Sequence, residues 1–335
     1  MTTNLVSLLA TILLLLSSTS FANDIRINQV GDDFDLDISQ DGTDNKIKGM
    51  AGATSTASVY GNDAKLDLTQ TGNNNTISMY YNNDSGGIST PKAIVTQTGN
   101  RNTVTSDQHG FAHESTVTQT GDDNTAWVET GRSSNHLYNQ FSVTQTGDNI
   151  NAYLEQDGSY NTMETEQRCS TGSNCLTQDM RIVVTGNNNS VKAKQGVHYN
   201  NNTGATTYDG TEPGGNDMDV DVTGSNNSLM ISQRNQNSIR THNMDIDITG
   251  DYNNVFHTQA GDADKTSTLT INNDNNAVEH VQTGNGYHTS TITLGGTGAT
   301  TFTGLQGGNS SRTYTLNQSC VNTCLLYTSD AADDW

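Results

Sequence analysis

Paired aspartates recur in the second half of the chain. Asp219 and Asp221 are followed one repeat later by Asp245 and Asp247, and each pair alternates with apolar residues. Side chains two residues apart in a strand share one face, so the four carboxylates are predicted to project outward together. Clustered carboxylate oxygens suit Ca²⁺, and the same pattern is typical of a solvated acidic face that opposes aggregation. We favour the solvated face and keep a cation site as the alternative.

Threonines two residues apart form a second chemical pattern. They occur as Thr-x-Thr pairs at Thr69/Thr71, Thr96/Thr98, Thr118/Thr120 and Thr144/Thr146. A flat threonine array is a surface with which some β-solenoids bind ice, so a binding module is one candidate function. Threonine is also a good exposed strand residue, which is the interpretation we favour. In our alignment the array lapses later, where the matching positions are Val183, Asp221 and Asp247.

Residues that could carry catalysis are sparse. His257 and His280 share one repeat position, and we expect a surface or stacked pair there rather than a metal site. The sequence has no HExxH or GxSxG motif, and no glycine-rich phosphate loop opens a helix. We therefore predict no enzymatic activity, no catalytic residue and no cofactor. The 36 acidic against 15 basic residues argue against nucleic acid as a direct partner.

A short phrase that repeats along the chain must position these side chains. Residues 95–99 read Val-Thr-Gln-Thr-Gly, and the phrase returns at 117–121 and 143–147. Most repeats have an apolar residue four positions before the glycine, an asparagine three after it and a glutamine nine after it. Gln97, Gln108 and Gln119 lie eleven apart, so one coil takes 22 residues in two similar halves. Such a period predicts a chain that stacks on itself.

Each coil is predicted to be strand, turn, strand, turn. Glycine takes up the reversal because it tolerates positive φ, and the predicted turn glycines are Gly72, Gly99, Gly121, Gly147, Gly186, Gly224 and Gly250. Stacked glutamine and asparagine side chains bond to their copies one coil away in cross-β structures. The predicted assembly ladder is Gln70, Gln97, Gln108, Gln119, Gln145, Gln156, Gln195, Gln233 and Gln259, with Asn75, Asn102, Asn124, Asn189, Asn227 and Asn253. In this alignment the glutamine before the glycine is lost from Gly186 onward, where Val184, Val222 and Ile248 replace it.

The predicted fold is an all-β solenoid of about 9–11 strand-turn-strand coils over residues 23–323. Hydrophobic residues are only 31% and net charge is −21, a composition that is also typical of disorder. Strict alternation argues against disorder, because a thin two-layer solenoid needs little apolar bulk. Insertions are predicted at 82–94, 131–142 and 196–219, and the two prolines, Pro91 and Pro213, fall within them.

The two ends of the sequence are predicted to lie outside the fold. Residues 5–16 are apolar and a small, polar segment follows, which predicts a signal peptide over 1–22 and export through the periplasm. That run is too short for a comfortable membrane span, and no second one follows. In an oxidising compartment we expect a Cys169–Cys175 disulfide. Residues 324–335 resemble translated sequencing-adapter DNA, so we predict that they are not native sequence.

The repeat resembles the curlin repeat. The pattern Gln-x-Gly-x-x-Asn-x-Ala/Val-x-x-x-Gln is present at Gln97, Gly99, Asn102, Val104 and Gln108, and its first part recurs from Gln119 to Ala126. Curlins are the subunits of curli, the extracellular amyloid fibres of bacterial biofilms. The resemblance covers roughly residues 24–320. It implies a curlin-like cross-β stack in which glutamines and asparagines such as Gln97 and Asn102 form ladders.

The predicted function follows from that resemblance. It implies a secreted structural subunit that self-assembles into cell-surface fibres for biofilm matrix, adhesion and colonisation. The implied partners are further copies of the chain, a second curlin-type subunit, an outer-membrane secretion pore and accessory chaperones. The alternative is a soluble secreted binding module for ice, polysaccharide or Ca²⁺ that uses the threonine or aspartate face.

Overall fold

The structure is a computed structural model. It describes residues 23–25, 27–29, 35–48, 57–59, 65–81, 92–108, 113–130, 137–169, 178–196, 198–200, 205–207, 215–235, 240–320 and 324–330. No helix occurs among these residues, and strands account for most of them. Within this part of the chain there is accordingly no helix long and apolar enough to span a membrane.

Two large sheets contain nearly all of the strands. Sheet one has 14 strands: β1 (Asp24–Ile25), β2 (Ile27–Gln29), β4 (Lys46–Lys48), β5 (Ala57–Val59), β7 (Thr76–Tyr81), β9 (Thr103–Gln108), β11 (Thr125–Glu129), β13 (Ile150–Asp157), β15 (Gln178–Thr185), β20 (Gly215–Thr223), β22 (Thr241–Met244), β24 (Lys265–Thr266), β26 (His288–Gly296) and β28 (Arg312–Cys320). Sheet two has 13 strands: β3 (Ser39–Asp41), β6 (Thr69–Thr71), β8 (Lys92–Thr98), β10 (His113–Thr120), β12 (Asn139–Thr146), β14 (Thr162–Arg168), β16 (Ser190–Val191), β17 (Lys194–Gln195), β21 (Ser228–Asn235), β23 (Asn254–Gly261), β25 (Ala277–Gln282), β27 (Thr300–Gln306) and β29 (Cys324–Asp330).

The chain alternates between the sheets, and each strand pairs in parallel with the strand one turn away. Sheet one follows the order β1-β4-β7-β9-β11-β13-β15-β20-β22-β24-β26-β28, and sheet two follows β3 to β29 in the same direction. This topology is a β-solenoid, so the predicted fold class is confirmed. We call the connection from a sheet-two strand to the next sheet-one strand corner one, and the connection back to sheet two corner two.

Alternation along the strands builds the core. In β10 every second residue from His113 to Gln119 is buried, and the residues between them are partly exposed. The apolar part of the buried set is mostly valine, isoleucine, leucine and methionine, with Val117 and Val143 opposite each other in register. Parallel in-register pairing places like residues above one another. On the inner face of a sheet, like side chains therefore form rows that run along the stack.

The corners are tight and are made by residues with positive φ. In the corner between β10 and β11, Gly121 has φ 119° and Asp123 has φ 60°. A Cβ atom on Gly121 would lie 2.0 Å from the carbonyl oxygen of Gly147 in the next coil. Glycine is thus required here for close approach between coils as well as for the turn.

Three predicted boundaries need correction. The strands β8, β12 and β20 begin at Lys92, Asn139 and Gly215, inside the ranges predicted as insertions. These strands pair continuously with their neighbours in the stack, so the insertions end earlier than predicted. Within 196–219 the segments His198–Asn200 (β18) and Ala205–Thr207 (β19) form a separate antiparallel hairpin.

Other predicted segments stand as follows. The leader over residues 1–22 lies outside the described residues. Residues 324–330 form β29 and pair with β27, while the proposal that 324–335 is not native sequence stays a prediction.

Candidate functional site

A single column of glutamines runs along the inner face of sheet two. Each side chain donates from Nε2 to Oε1 of the glutamine in the next coil, over 2.6–3.3 Å. Ten such bonds join eleven glutamines: Gln40, Gln70, Gln97, Gln119, Gln145, Gln167, Gln195, Gln233, Gln259, Gln282 and Gln306. We call this set the glutamine column.

The second amide hydrogen of these glutamines ties the two sheets together. Gln119, which is fully buried, donates to Gln145 Oε1 at 2.8 Å and also to the carbonyl oxygen of Thr103 in sheet one at 3.1 Å. Gln97 makes the corresponding bond to Thr76 at 3.2 Å. Each amide therefore satisfies one partner along the stack and one across the core. A buried amide with its partners in place stabilises the fold, and one without them destabilises it.

Gln108 and Gln156, which were predicted to belong to this ladder, lie elsewhere. They are on the inner face of sheet one, where Gln156 pairs in register with Val184. Gln108 donates to the hydroxyls of Ser106 and Ser115. The prediction that Gln108 and Gln156 belong to the same ladder as the other glutamines was therefore wrong, because the two halves of each coil lie in different sheets.

The asparagines form two columns, one at each corner. Corner one has Asn45, Asn75, Asn102 and Asn124, and corner two has Asn139, Asn161, Asn189, Asn227, Asn253 and Asn276. In most members Oδ1 accepts the backbone N–H of the asparagine in the next coil, and Nδ2 donates to the carbonyl of the next coil's turn glycine. These bonds satisfy turn backbone groups that face the interior.

The predicted single column of asparagines is therefore wrong, and so is the predicted loss of glutamine after Gly147. The interval between Gly147 and Gly186 contains β13, β14 and β15, which is one and a half coils. Gly147 stacks on Cys169 in corner one, whereas Gly186 stacks on Gly158 in corner two. Gly186, Gly224 and Gly250 thus form a corner-two column, and the true successor of Gln145 is Gln167.

Replacing Asn189 with alanine is expected to cost about 2–3 kcal/mol of unfolding free energy, because it leaves the buried N–H of Asn227 and the carbonyl of Gly224 unpaired. Chemical denaturation of the variant measures this cost. Asn187 is exposed two residues earlier in the same corner. Asn187→Ala is the matched control and should cost less than about 1 kcal/mol. Equal costs for both variants would contradict the column.

Comparison with known protein families identifies one part of this stack. Residues 99–129 match the family model of the curlin associated repeat. The resemblance predicted from the sequence is confirmed for this segment. The matched segment runs from the corner glycine Gly99 through Asn102 and Gln119 to the end of β11. No protein in the curated set matches the chain.

The curlin repeat family is structural rather than enzymatic, and its subunits self-assemble into extracellular fibres. The matched segment contributes Gln108 to sheet one and Gln119 to sheet two, so it contains both halves of the repeating coil. Coils beyond residue 129 continue the glutamine column by direct hydrogen bonds. The glutamine column thus continues beyond the matched segment over most of the described stack.

The predicted aspartate face exists on the outer side of sheet one. The pairing of β20 with β22 ends at Met218 and Met244. Just beyond that pair, Asp245 lies close enough to Asp247, Asp219 and Asp221 to interact with their carboxylates. Arg181 Nη1 contacts Asp219 at 2.8 Å and Asp221 at 2.9 Å. Burial, followed by the neighbouring carboxylates, raises the pKa of Asp245. Among the described residues, no group of three or more carboxylate, histidine or cysteine side chains is arranged to hold a metal ion.

The predicted threonine array lies on the outer side of sheet two and covers four coils, from β6 to β12. Its next positions are Glu166 and Arg168 in β14, not the sheet-one residues Val183, Asp221 and Asp247 of the sequence alignment. The cause is the same as for the asparagines: beyond Gly147 the sequence alignment is shifted by half a coil. Thr289 and Thr291 in β26 pair with Thr313 and Thr315 in β28, so threonines also recur on sheet one.

The predicted histidine pair and disulfide are placed as follows. His257 and His280 are fully buried, with Nδ1 atoms 3.4 Å apart and ring centroids 4.7 Å apart. They belong to neighbouring strands of sheet two, and their rings meet edge to face with 63° between the planes. Cys169 is buried and disulfide-bonded, and Cys175 lies outside the described residues.

Sequence reasoning missed an exposed aromatic pair next to the aspartate face. Trp127 and Tyr153 occupy adjacent coils on the outer side of sheet one, with ring centroids 5.9 Å apart. The guanidinium of Arg181 lies 6.0 Å from the Tyr153 ring, within the range of a cation–π contact. The shared offset of Trp127 and Tyr153 after their corner glycines was the signal that would have found this pair.

Proposed function

We propose that the chain is the structural subunit of an extracellular curli-like fibre, which grows when copies add coils end to end. The observation that carries this proposal is the unbroken glutamine column. Each coil of the column presents the next with the same hydrogen-bond donors and acceptors, and nothing in this pattern limits it to one chain. Biofilm matrix, adhesion and surface colonisation are the roles that a fibre of this kind would serve.

The N-terminal end of the stack supports this mode of addition. Gln40 donates to Gln70, but its own Oε1 is buried without a hydrogen-bond partner. Among the described residues β3 is the last strand of sheet two, so one of its edges has no neighbouring strand there. An open, in-register strand edge is a template for another strand. Pairing between subunits would be β-augmentation, with backbone hydrogen bonds supplying affinity and the glutamine supplying register.

The proposed route to the surface is that of curlins. The leader over 1–22 directs the chain to the periplasm, and an outer-membrane pore with accessory chaperones passes it outward. A second curlin-type subunit is proposed to nucleate or share the fibre. Genes for a pore and a second repeat protein beside the gene for this chain would support this route.

The test of the function is assembly by the purified mature chain. We expect thioflavin-positive fibres with a meridional reflection at about 4.8 Å. The triple variant Gln97→Lys, Gln119→Lys and Gln145→Lys should slow assembly at least about tenfold, because it buries three cations in the glutamine column. The control is Thr96→Lys, Thr118→Lys and Thr144→Lys, which adds the same charge to the same strands on their outer side. Equal delay in both variants would oppose the proposal.

The regular threonine array favours one second candidate, a soluble binding module. That function predicts a chain that is β-rich yet monomeric at high concentration and that inhibits ice recrystallisation. Fibre formation without ice activity would exclude it. A monomer with ice activity would displace the fibre proposal.

A further inference from the structure

Buried basic side chains are concentrated in the last third of the stack, which we call the C-terminal coils and define as residues 228–306. Four histidines and one lysine there are at most 1% exposed: His242, His257, Lys265, His280 and His288. In the coils over the described residues of 35–196, the interior columns consist mainly of neutral amides and aliphatic side chains, and His113 is the buried histidine.

Two of the histidines occupy an apolar column of sheet two. Ile231, His257, His280 and Gly304 pair in register through β21, β23, β25 and β27. The described side chains that influence His257 include no carboxylate: burial and then His280 lower its pKa well below the usual range. Burial lowers the pKa of His280 to about 4, opposed in part by a hydrogen bond with Gln306. A proton on either ring would therefore enter an uncompensated apolar site.

The other histidines replace asparagine in corner one. His242, Lys265, His288 and Arg312 follow one another in register. His242 Nε2 lies 3.2 Å from the carbonyl oxygen of Ala263, and His288 Nε2 lies 2.8 Å from that of Thr283. Between them, Lys265 Nζ donates to three turn carbonyls, the closest at 2.8 Å. The lysine thus places a fixed cation between two neutral imidazoles.

Charged neighbours reinforce this arrangement. Burial and then Lys265 lower the pKa of His242 to about 3, although hydrogen bonds with the backbone of Ala263 and Gly261, followed by the charge of Asp264, oppose the shift. Burial lowers the pKa of His288, and the cations of Lys265 and Arg312 act in the same direction. Burial also lowers the pKa of Lys265 to about 8, although Asp262 and Asp264 oppose it. Below pH 8 the lysine is therefore cationic, and each added proton on a neighbouring imidazole meets a like charge.

We propose that the four buried histidines make the C-terminal coils an acid-sensitive segment, which is closed at neutral pH and opens in mild acid while the coils before it stay folded. The inference rests on the proposed function only for its consequence, which is that acid would hold one end of the subunit unready for assembly. The opening of this segment depends only on the fold of the chain, so it can be measured whether or not the chain forms fibres.

The direction of the effect follows from proton linkage. The histidines have lower pKa values in the folded state than the usual 6.5, so the open segment binds protons that the closed one excludes. Their stabilisation is complete above about pH 6.5 and falls as pH drops toward the folded values. Each histidine then raises the opening constant about tenfold per pH unit. Below pH 7, Lys265 is protonated in both the closed and the open state, so it adds little to the pH dependence of the opening constant.

Hydrogen exchange between pH 7.5 and 5 tests the proposal on the folded chain, soluble or in fibres. After correction for intrinsic rates, amides of β23 and β25 should show an opening constant that rises by about 50- to 100-fold per pH unit below pH 6, from His257 and His280 alone. Amides of β12 and β14, two strands that contain no histidine, should change less than about threefold. The same slope in both regions would overturn the proposal.

The double variant His257→Ile with His280→Val matches the aliphatic neighbour Ile231 and should lower that slope by about two log units per pH unit. The single variant His257→Ile should lower it by about one, and it provides the same test if the double variant does not fold. A slope that both variants leave unchanged would also overturn the proposal. Fibre formation with a flat exchange profile would reject this inference alone, whereas acid opening without fibres would reject the proposed function alone.

Discussion

Replacing Gly121 with alanine is expected to remove at least about 4 kcal/mol of unfolding free energy. The added Cβ would lie 2.0 Å from the carbonyl oxygen of Gly147, and backbone in the next coil cannot yield as a flexible side chain would. The φ of 119° is also unfavourable for any residue with a Cβ. Because the clash lies between coils, we expect the stack to separate at this level.

Chemical denaturation and limited proteolysis would measure this effect, with new cleavage expected near residues 121–147. Gly295 provides a matched control within β26, because its φ is not positive and a Cβ there would meet no atom within 4 Å. Gly295→Ala should therefore lie within about 0.5 kcal/mol of the parent chain. If Gly121→Ala were equally mild, coils could not be packed as closely as the structure has them.

Replacing Gln119 with glutamate is expected to cost about 3–5 kcal/mol at neutral pH, since it buries an unpaired charge. The carboxylate keeps the acceptor for Gln97 but loses both donors, so it would face Gln145 Oε1 and the Thr103 carbonyl oxygen. Protonation restores one donor and removes the charge. Burial raises the folded-state pKa of the new carboxyl, so the cost should shrink as pH falls from 7 toward the unfolded value of about 4.3, opposite in direction to the effect of the buried histidines.

The control for this substitution is Gln140→Glu. Gln140 is exposed on β12, the strand that also carries Gln145 of the glutamine column. Its cost should be below about 0.5 kcal/mol. Denaturation midpoints at pH 7 and pH 4.5 distinguish the two positions, and a Gln119→Glu variant as stable as Gln140→Glu would rule out the column as a stabilising element.

The sequence was sufficient to predict the two-layer stack because its period-2 alternation and its corner signals agree. Val95, Val117 and Val143 share one offset, and each is buried where the alternation predicts. The glutamine two residues after each valine also faces inward, since residues two apart share a face. For the coils from β8 to β12, the local sequence pattern was therefore enough to predict which residues form strands, which of them face inward and where the corners lie.

The identity of the corner could not be derived from glycine alone. Both half-coils are eleven residues long and end in the same glycine-to-asparagine turn, so Gly147 and Gly186 align although they lie at opposite corners. The interval from Gln145 to Gln167 is one full coil, and following glutamine rather than glycine would have preserved the register. The corner-one bases His242, Lys265 and His288 share no residue type with the asparagines they replace, so only the pairing of backbone strands reveals them.

One measurement tests the central claim most directly. In the folded chain labelled with ¹³C at the glutamine Cδ, solid-state NMR dipolar recoupling reports how close neighbouring glutamine side chains lie. The glutamine column predicts a fast decay from a line of spins about 5 Å apart, the spacing of adjacent strands. Gln119→Leu should slow that decay by interrupting the line. A slow decay typical of isolated spins in the parent chain would show that the glutamines do not stack, and the account of the fold and of fibre assembly would fail with it.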